Sequence, residues 1–401
     1  MERRPLTTFV IAIKNLKRRS FRTKALIATV AVLSFIIFCG ELLSQSLNLG
    51  SDYLEGKMCA EIMVVPRGDA INLQNTLLKG ESNTFFMEDN LAGDISSMTY
   101  VETLSPQLYI GSLNASCCTV PVQLIGFDPK TDFTIKSWMT NIDSSKLSFG
   151  EVVVGSRVNA LLGEEIWMFG QPLKVLATLD DTGMGFDTSV FMTLETAKHM
   201  IERSEETAVH PTGLKSNQIS ALFIKLSHGS DTTEATAAII RKYPQTDVIV
   251  LKDMMQNVSR QIKNIRGLTY GIQGFLCIVA ILILIITTIT MINERKREFG
   301  LFLAIGATRN KLGRLLITET LVISAVGALV GIAAGYFIMY EFRMLIAVSL
   351  GIPYLKPTIG ATFIIALMSL AVSVLTSSFA CGCSVIRIGR IETNFMIKEY
   401  E

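Results

Sequence analysis

The chain has 401 residues, of which 49% are hydrophobic and only 18% charged, with a formal net charge of +2 and a mean hydropathy of +0.42. That is more apolar than an ordinary soluble protein. A near-neutral chain of this kind excludes nucleic-acid binding driven by a basic surface, and the clustering of its apolar residues directs attention to membranes.

The first apolar stretch, residues 25–45, follows a basic segment, 1–24, carrying Arg3, Arg4, Lys14, Lys17, Arg18, Arg19, Arg22 and Lys24. It has the charge order of a signal peptide but shows no convincing small-residue cleavage site, and it reads as a retained membrane anchor. Residues 46–267 form a long insertion with a globular pattern. Short β-branched runs at 60–66, 107–113, 120–127, 151–155, 172–179, 189–194, 221–227 and 247–251 read as strands. Helical patterns fall between them at 156–162, 194–204 and 231–242. The alternation predicts an α+β domain built partly from βαβ-like units. Residues 44–57 and 252–267 are helix-compatible and could extend the neighbouring spans outward as stalks.

Three further apolar stretches follow, at 268–292, 315–340 and 358–380, each long enough to cross about 30 Å of hydrocarbon. The expected fold is a membrane protein of four transmembrane helices, with a large α+β extracytoplasmic domain inserted between the first and second. Lys and Arg also concentrate in the 293–314 segment, while 341–357 holds only Arg343 and Lys356. The positive-inside rule then puts 1–24, 293–314 and the tail 381–401 in the cytoplasm, and 46–267 and 341–357 outside.

Between the second and third spans lies "ERKREFGLFLAIGATRNKLGR", with charged ends around an apolar middle. Taken alone, this pattern fits an interfacial helix obeying the positive-inside rule. Residues 293–336, however, resemble the signature of FtsX-like/MacB-like ABC transporter permeases. The matching positions are Glu294, Arg295, Arg297, Glu298, Gly300, Ala304, Gly306, Ala307 and Thr308, with Phe299 and Phe302 on the apolar stripe. Residues 151–200 look like that family's extracytoplasmic domain. The resemblance implies that 294–308 is a coupling helix docking on a cytoplasmic ABC ATPase, with two permease chains, identical or different, in the assembly. It implies no cofactor in this chain, and ATP and magnesium on the partner ATPase. The chain contains no G-x-x-x-x-G-K-[ST] phosphate loop and leaves no cytoplasmic segment large enough for a nucleotide-binding domain. The expectation is therefore a non-enzymatic transport subunit in a bacterial or archaeal cytoplasmic membrane. Its other contacts would be lipid and an extracytoplasmic protein.

Gly327, Gly331 and Gly335 share one face of the third span, a spacing that lets two membrane helices approach closely. They serve either packing within the chain or a dimer interface. Glu319, about one turn inside that span, is a candidate functional carboxylate or one that snorkels or pairs with a nearby Arg. Of seven cysteines, Cys59, Cys117 and Cys118 fall in the inserted region. An odd number does not make a disulfide framework. Cys117 and Cys118, with the three histidines, could hold a soft metal or haem iron, although no C-x2-C or H-x3-H spacing supports it. The acidic "DDTGMGFD" at 180–187 lacks a calcium-loop ligand pattern and reads as a plain loop. Two other functions stay open: a regulator activating an extracytoplasmic partner such as a cell-wall hydrolase, and a metal or haem exporter.

Overall fold

The computed structural model describes residues 20–57, 59–112, 122–139, 147–207, 215, 217–294, 308–350 and 353–398. They divide into two units. One holds the described parts of 1–45, 264–342 and 357–401; the other holds those of 46–263 and 343–356.

Helices in chain order are α1 (Ser20–Lys57), α2 (Ala70–Lys79), α3 (Asn90–Ser96), α4 (Leu194–Thr207), α5 (Thr232–Lys242), α6 (Leu251–Glu294), α7 (Arg309–Glu341), α8 (Arg343–Leu350) and α9 (Ile359–Lys398). Four of them, α1, α6, α7 and α9, are long and apolar enough to cross a membrane. No proline interrupts any of these four, so each keeps its backbone hydrogen bonds within itself, as hydrocarbon requires. Leu26, Val30, Leu284, Ile323, Ala328 and Ala380, drawn from all four, form one buried cluster. Large side chains such as Phe275, Ile278, Leu329, Phe337, Phe363 and Leu375 point outward from the spans. Several polar side chains inside this unit bond to backbone. Ser373 and Ser377 donate to the carbonyls four residues back, and the Ser34 hydroxyl donates across to Ala328 O at 3.2 Å.

α1 and α7 meet along a glycine seam. A side chain placed on Gly331 would overlap the Ala31 carbonyl oxygen and come within 2.9 Å of Phe35 N. At Gly327 it would stand 2.8 Å from Ile27 O, and at Gly335 2.9 Å from the Phe38 ring. Close backbone contact of this kind is what small-xxx-small spacing permits. α6 joins α1 through Gln273, whose side-chain amide donates to Ile36 O and Ile37 O at 3.2 and 3.3 Å.

The second unit is built on a nine-stranded sheet. Its strands are β1 (Ile62–Pro66), β3 (Val101–Ser112), β4 (Val122–Phe127), β5 (Glu151–Val154), β6 (Glu165–Met168), β7 (Gln171–Thr178), β8 (Ser189–Thr193), β10 (Ala221–Leu226) and β11 (Thr246–Val250); β2 (Met87–Glu88) and β9 (Gln218–Ile219) pair apart. The order is β11-β1-β10-β3-β4-β8-β5-β7-β6. Neighbours are antiparallel except β4 with β8 and β5 with β7. α4 packs Ala197, Met200 and Ile201 onto one sheet face beside Leu124, Val152 and Val190. α3 and α5 cover Ile62, Val64, Leu222 and Ile224.

The segment 156–162 is not helical; it is a series of turns. Gly155 N donates to Ser189 O and Arg157 N to Asp187 O, so these groups are bound to another segment and cannot start a helical turn.

The seam yields a graded prediction. Gly331→Ala meets rigid backbone and should destabilise by about 1–3 kcal/mol. Gly335→Ala meets the ends of Phe38 and Cys39 side chains, which can shift, and should cost clearly less. Thermal midpoints of the detergent-solubilised chain, read side by side, check the order.

Candidate functional site

The charged-apolar segment is framed by two helix ends. Glu294 is the last residue of α6 and Thr308 directly precedes α7. A carboxylate at a helix C-terminus faces the negative end of the helix dipole, which disfavours it. Here the Arg22 guanidinium of α1 pairs with it. Thr308 has extended backbone, and its carbonyl accepts from Lys311 N and Leu312 N at 2.9 and 3.3 Å, starting α7. Arg295, Arg297, Glu298, Phe299, Gly300, Phe302, Ala304, Gly306 and Ala307 lie outside the described residues.

Of the other candidates, Gly327, Gly331 and Gly335 are all spent on α1 of the same chain. Glu319 is 1% exposed, so its carboxyl is held inside the helix unit rather than reaching outward. The buried cluster of Met291, Ile292, Leu316 and Cys381 joins the end of α6, the second turn of α7 and the middle of α9. Cys117 and Cys118 lie outside the described residues; Cys59 is exposed and free. Among the described residues no group of three or more His, Cys, Asp and Glu could hold a metal. His199 instead packs edge-on against Phe149.

A polar junction that sequence reading passed over sits in the α+β unit, at the 180–187 loop. Asp187 is wholly buried. Its carboxylate accepts from Thr182 N at 2.8 Å, the Thr182 hydroxyl at 2.7 Å and Gly183 N at 2.8 Å. Arg157 stands 3.4 Å from Asp187 and 3.5 Å from Asp181. Burial, then the Asp181 carboxyl beside it, raises the Asp187 carboxyl from its ordinary 3.8 to about 6, against the opposing pull of the Thr182 donors. The loop is thereby shaped to receive the segment between α8 and α9. Gly183, at φ +67°, accepts from Tyr354 N at 3.2 Å, and a Cβ there would strike the Tyr354 backbone. On its other side this segment meets α1, where Leu355 N donates to Ser46 O at 3.3 Å. The end of α1 is tied in as well. Lys57 Nζ donates to Ser137 O and the Ser137 hydroxyl to Lys57 O, at 2.7 and 2.6 Å. Edge-on ring contacts then run Tyr53–Trp138–Phe186–Phe191 from α1 into β8.

Comparison with known proteins adds an independent line. Residues 271–393 match the family model described as FtsX-like permease C-terminal. Over 241 residues the chain is 23% identical to the ABC transporter permease YknZ of Bacillus subtilis, covering 52% of this chain and 58% of that protein. Over 137 residues it is 23% identical to the macrolide export ATP-binding/permease protein MacB of Salmonella paratyphi A, covering 31% of this chain and 20% of that one. The chain thus spans less than two thirds of the length of either relative. Among solved structures, the periplasmic region of MacB from Actinobacillus actinomycetemcomitans aligns with 51% of this chain and 95% of its own, at 13% identity and a TM-score of 0.34. The extracellular domain of YknZ from Gram-positive bacteria aligns with 47% and 98%, at 12% identity and a TM-score of 0.29.

The Asp187 junction predicts a signed pH effect. A carboxyl whose folded value is raised holds its proton more tightly in the folded chain than in the unfolded one. Its stabilising contribution is complete below 3.8 and is lost as pH rises through about 6. Relative to Asp187→Asn, the wild-type chain should lose stability between those values. Denaturation of the full chain at a series of pH values, followed through Trp138 fluorescence in a Trp167→Phe background, should show this difference. Parallel curves for the two proteins would refute it.

Proposed function

We propose that this chain is an ABC transporter permease of the FtsX-like, MacB-like kind, and that it couples ATP hydrolysis by a separate ATPase subunit to movement of its α+β unit outside the membrane. The observation that carries this reading is where the family match falls. Residues 271–393 begin inside α6, pass through the 294–308 segment and continue through α7 and α9. The segment is the one short connection in that stretch with basic charge at both ends and an apolar centre. That is the composition a helix needs to lie on the inner membrane face and seat its apolar stripe in a partner.

In this mechanism two permease chains associate with two ATPase chains, which bind ATP and magnesium. Closure of the ATPase pair pushes on the 294–308 segment. Glu294 delivers the push to α6, and its pairing with Arg22 delivers it to α1. Both helices suit this role by length. The 44 residues of α6 extend about 66 Å at 1.5 Å per residue, and the 38 of α1 about 57 Å, against about 30 Å of hydrocarbon. Each therefore has several turns to spare outside the bilayer. α6 leads directly from β11, and α1 is fastened by the Lys57–Ser137 pair of hydrogen bonds. The outward movement would serve export or extraction of a molecule lying outside the membrane, without that molecule having to thread a channel through the four spans. Basic residues at 1–24 and 293–314 support cytoplasmic termini.

The test is affinity purification of the tagged chain from its native membranes in mild detergent. An ABC ATPase should come with it near one-to-one, and be lost when residues 299–307 are scrambled; its absence even after cross-linking would refute the reading. Gly306→Trp should abolish stimulation of that ATPase while leaving membrane insertion intact. Arg22→Glu should weaken stimulation by about 2- to 30-fold, the range that 0.5–2 kcal/mol of coupling represents, without releasing the ATPase. Normal stimulation in both variants would show that the segment is not the coupling element.

A further inference from the structure

A groove of 650 Å³ opens in the α+β unit where the last turn of α1, the start of β1 and the first turns of α6 meet. Its size lies within the about 300–1,000 Å³ of small-molecule sites. The floor is apolar: Ala60 and Met255 are buried there and Val250 half-buried. One wall is the outward stripe of α6, carrying exposed Lys252, Arg260 and Lys263. Lys252 lies two turns from Arg260, and Arg260 one from Lys263, so all three fall on one side of the helix. Among the described residues none of the three takes part in an ion pair. Glu55 and Glu61 also line the groove. Glu61 is already engaged, accepting the Leu226 N–H at 2.6 Å. Among the described residues lining the groove, one uncommitted carboxylate, Glu55, then stands against three uncommitted cations.

An apolar floor beside a cationic wall is complementary to one class of ligand. We propose that this groove binds a small anionic amphiphile, with its apolar body on Ala60, Val250 and Met255 and its acidic head held by Arg260 and Lys263. The head is a carboxylate, phosphate or sulfonate, which these side chains recognise through charge-assisted hydrogen bonds. Both α1 and α6 line the groove, so a bound molecule would touch the two helices at once. This inference does not depend on the transport reading, since binding is measured without ATP or an ATPase.

Cys59 supplies the readout, because its exposed thiol lines the groove. The full chain, in nanodiscs of neutral lipid, would be alkylated with a maleimide and the rate at Cys59 followed by peptide mass spectrometry. Octyl phosphate below its micelle concentration should slow alkylation, and octyltrimethylammonium should not. Arg260→Gln combined with Lys263→Gln should weaken the apparent affinity for octyl phosphate about ten-fold, a loss of about 1.4 kcal/mol. Arg260→Lys should retain protection, which separates lost charge from lost folding. Equal protection by both amphiphiles, protection by neither, or an unchanged affinity in the double variant would overturn the proposal. Equal protection by inorganic phosphate would overturn it too, as the mark of a bare-anion site. Protection by an acidic peptide but not by octyl phosphate would do the same and point to a protein partner.

Discussion

The contact on which the helix unit depends is the one between the backbones of α1 and α7 at Gly331. Nothing larger than hydrogen fits between that α-carbon and the Ala31 carbonyl. In lipid there is no hydrophobic gain from bringing two apolar helices together, so association rests on close packing and the few polar contacts available. Gly327 and Gly335 extend the approach one turn to either side, and the Ser34 hydroxyl adds a bond to Ala328 O alongside it. With the seam occupied within the chain, a second copy would have to meet this one through some other face.

α1 makes contacts with several other elements. It takes the glycine seam from α7, the Gln273 amide from α6 and, through Arg22, the final carboxylate of α6. Its last turns then bond to Ser137 and, through Tyr53, join the ring series that ends at Phe191. Hydrogen bonds and packed side chains at these points leave the helix few ways to absorb motion locally, which is what the proposed coupling asks of it.

Local pattern carried much of this into the sequence. All eight strands read from β-branched runs are present, each within a few residues of its expected ends, except that β3 begins six residues early at Val101. β6 was not read, because four residues, Glu165–Met168, give too little alternation to register. α2 was also passed over. Its Leu73 and Leu77 show helical spacing and Gly80 ends it in the left-handed region, yet the polar residues around them resemble a loop. The reverse error, a helix at 156–162, arose because helical composition says nothing about where Gly155 N and Arg157 N find acceptors. For the candidate coupling segment, the sequence shows a motif but not its partners. Glu294 stood out by its motif, while its pairing with Arg22 joins residues far apart in the chain and is visible only after folding.

The 180–187 loop shows most clearly why composition alone misleads. Two aspartates and a third six residues on suggest a cation site, yet the third is turned inward, where Thr182 N, the Thr182 hydroxyl and Gly183 N all need an acceptor. Buried donors left without one cost about 1–3 kcal/mol each, so the loop requires a group with several lone pairs at that point. A carboxylate supplies them, and Arg157 offsets part of its charge. The raised protonation point of Asp187 is then a consequence of architecture: the side chain is there to hold the turn that presents the Gly183 carbonyl to Tyr354, and burial is what that task demands.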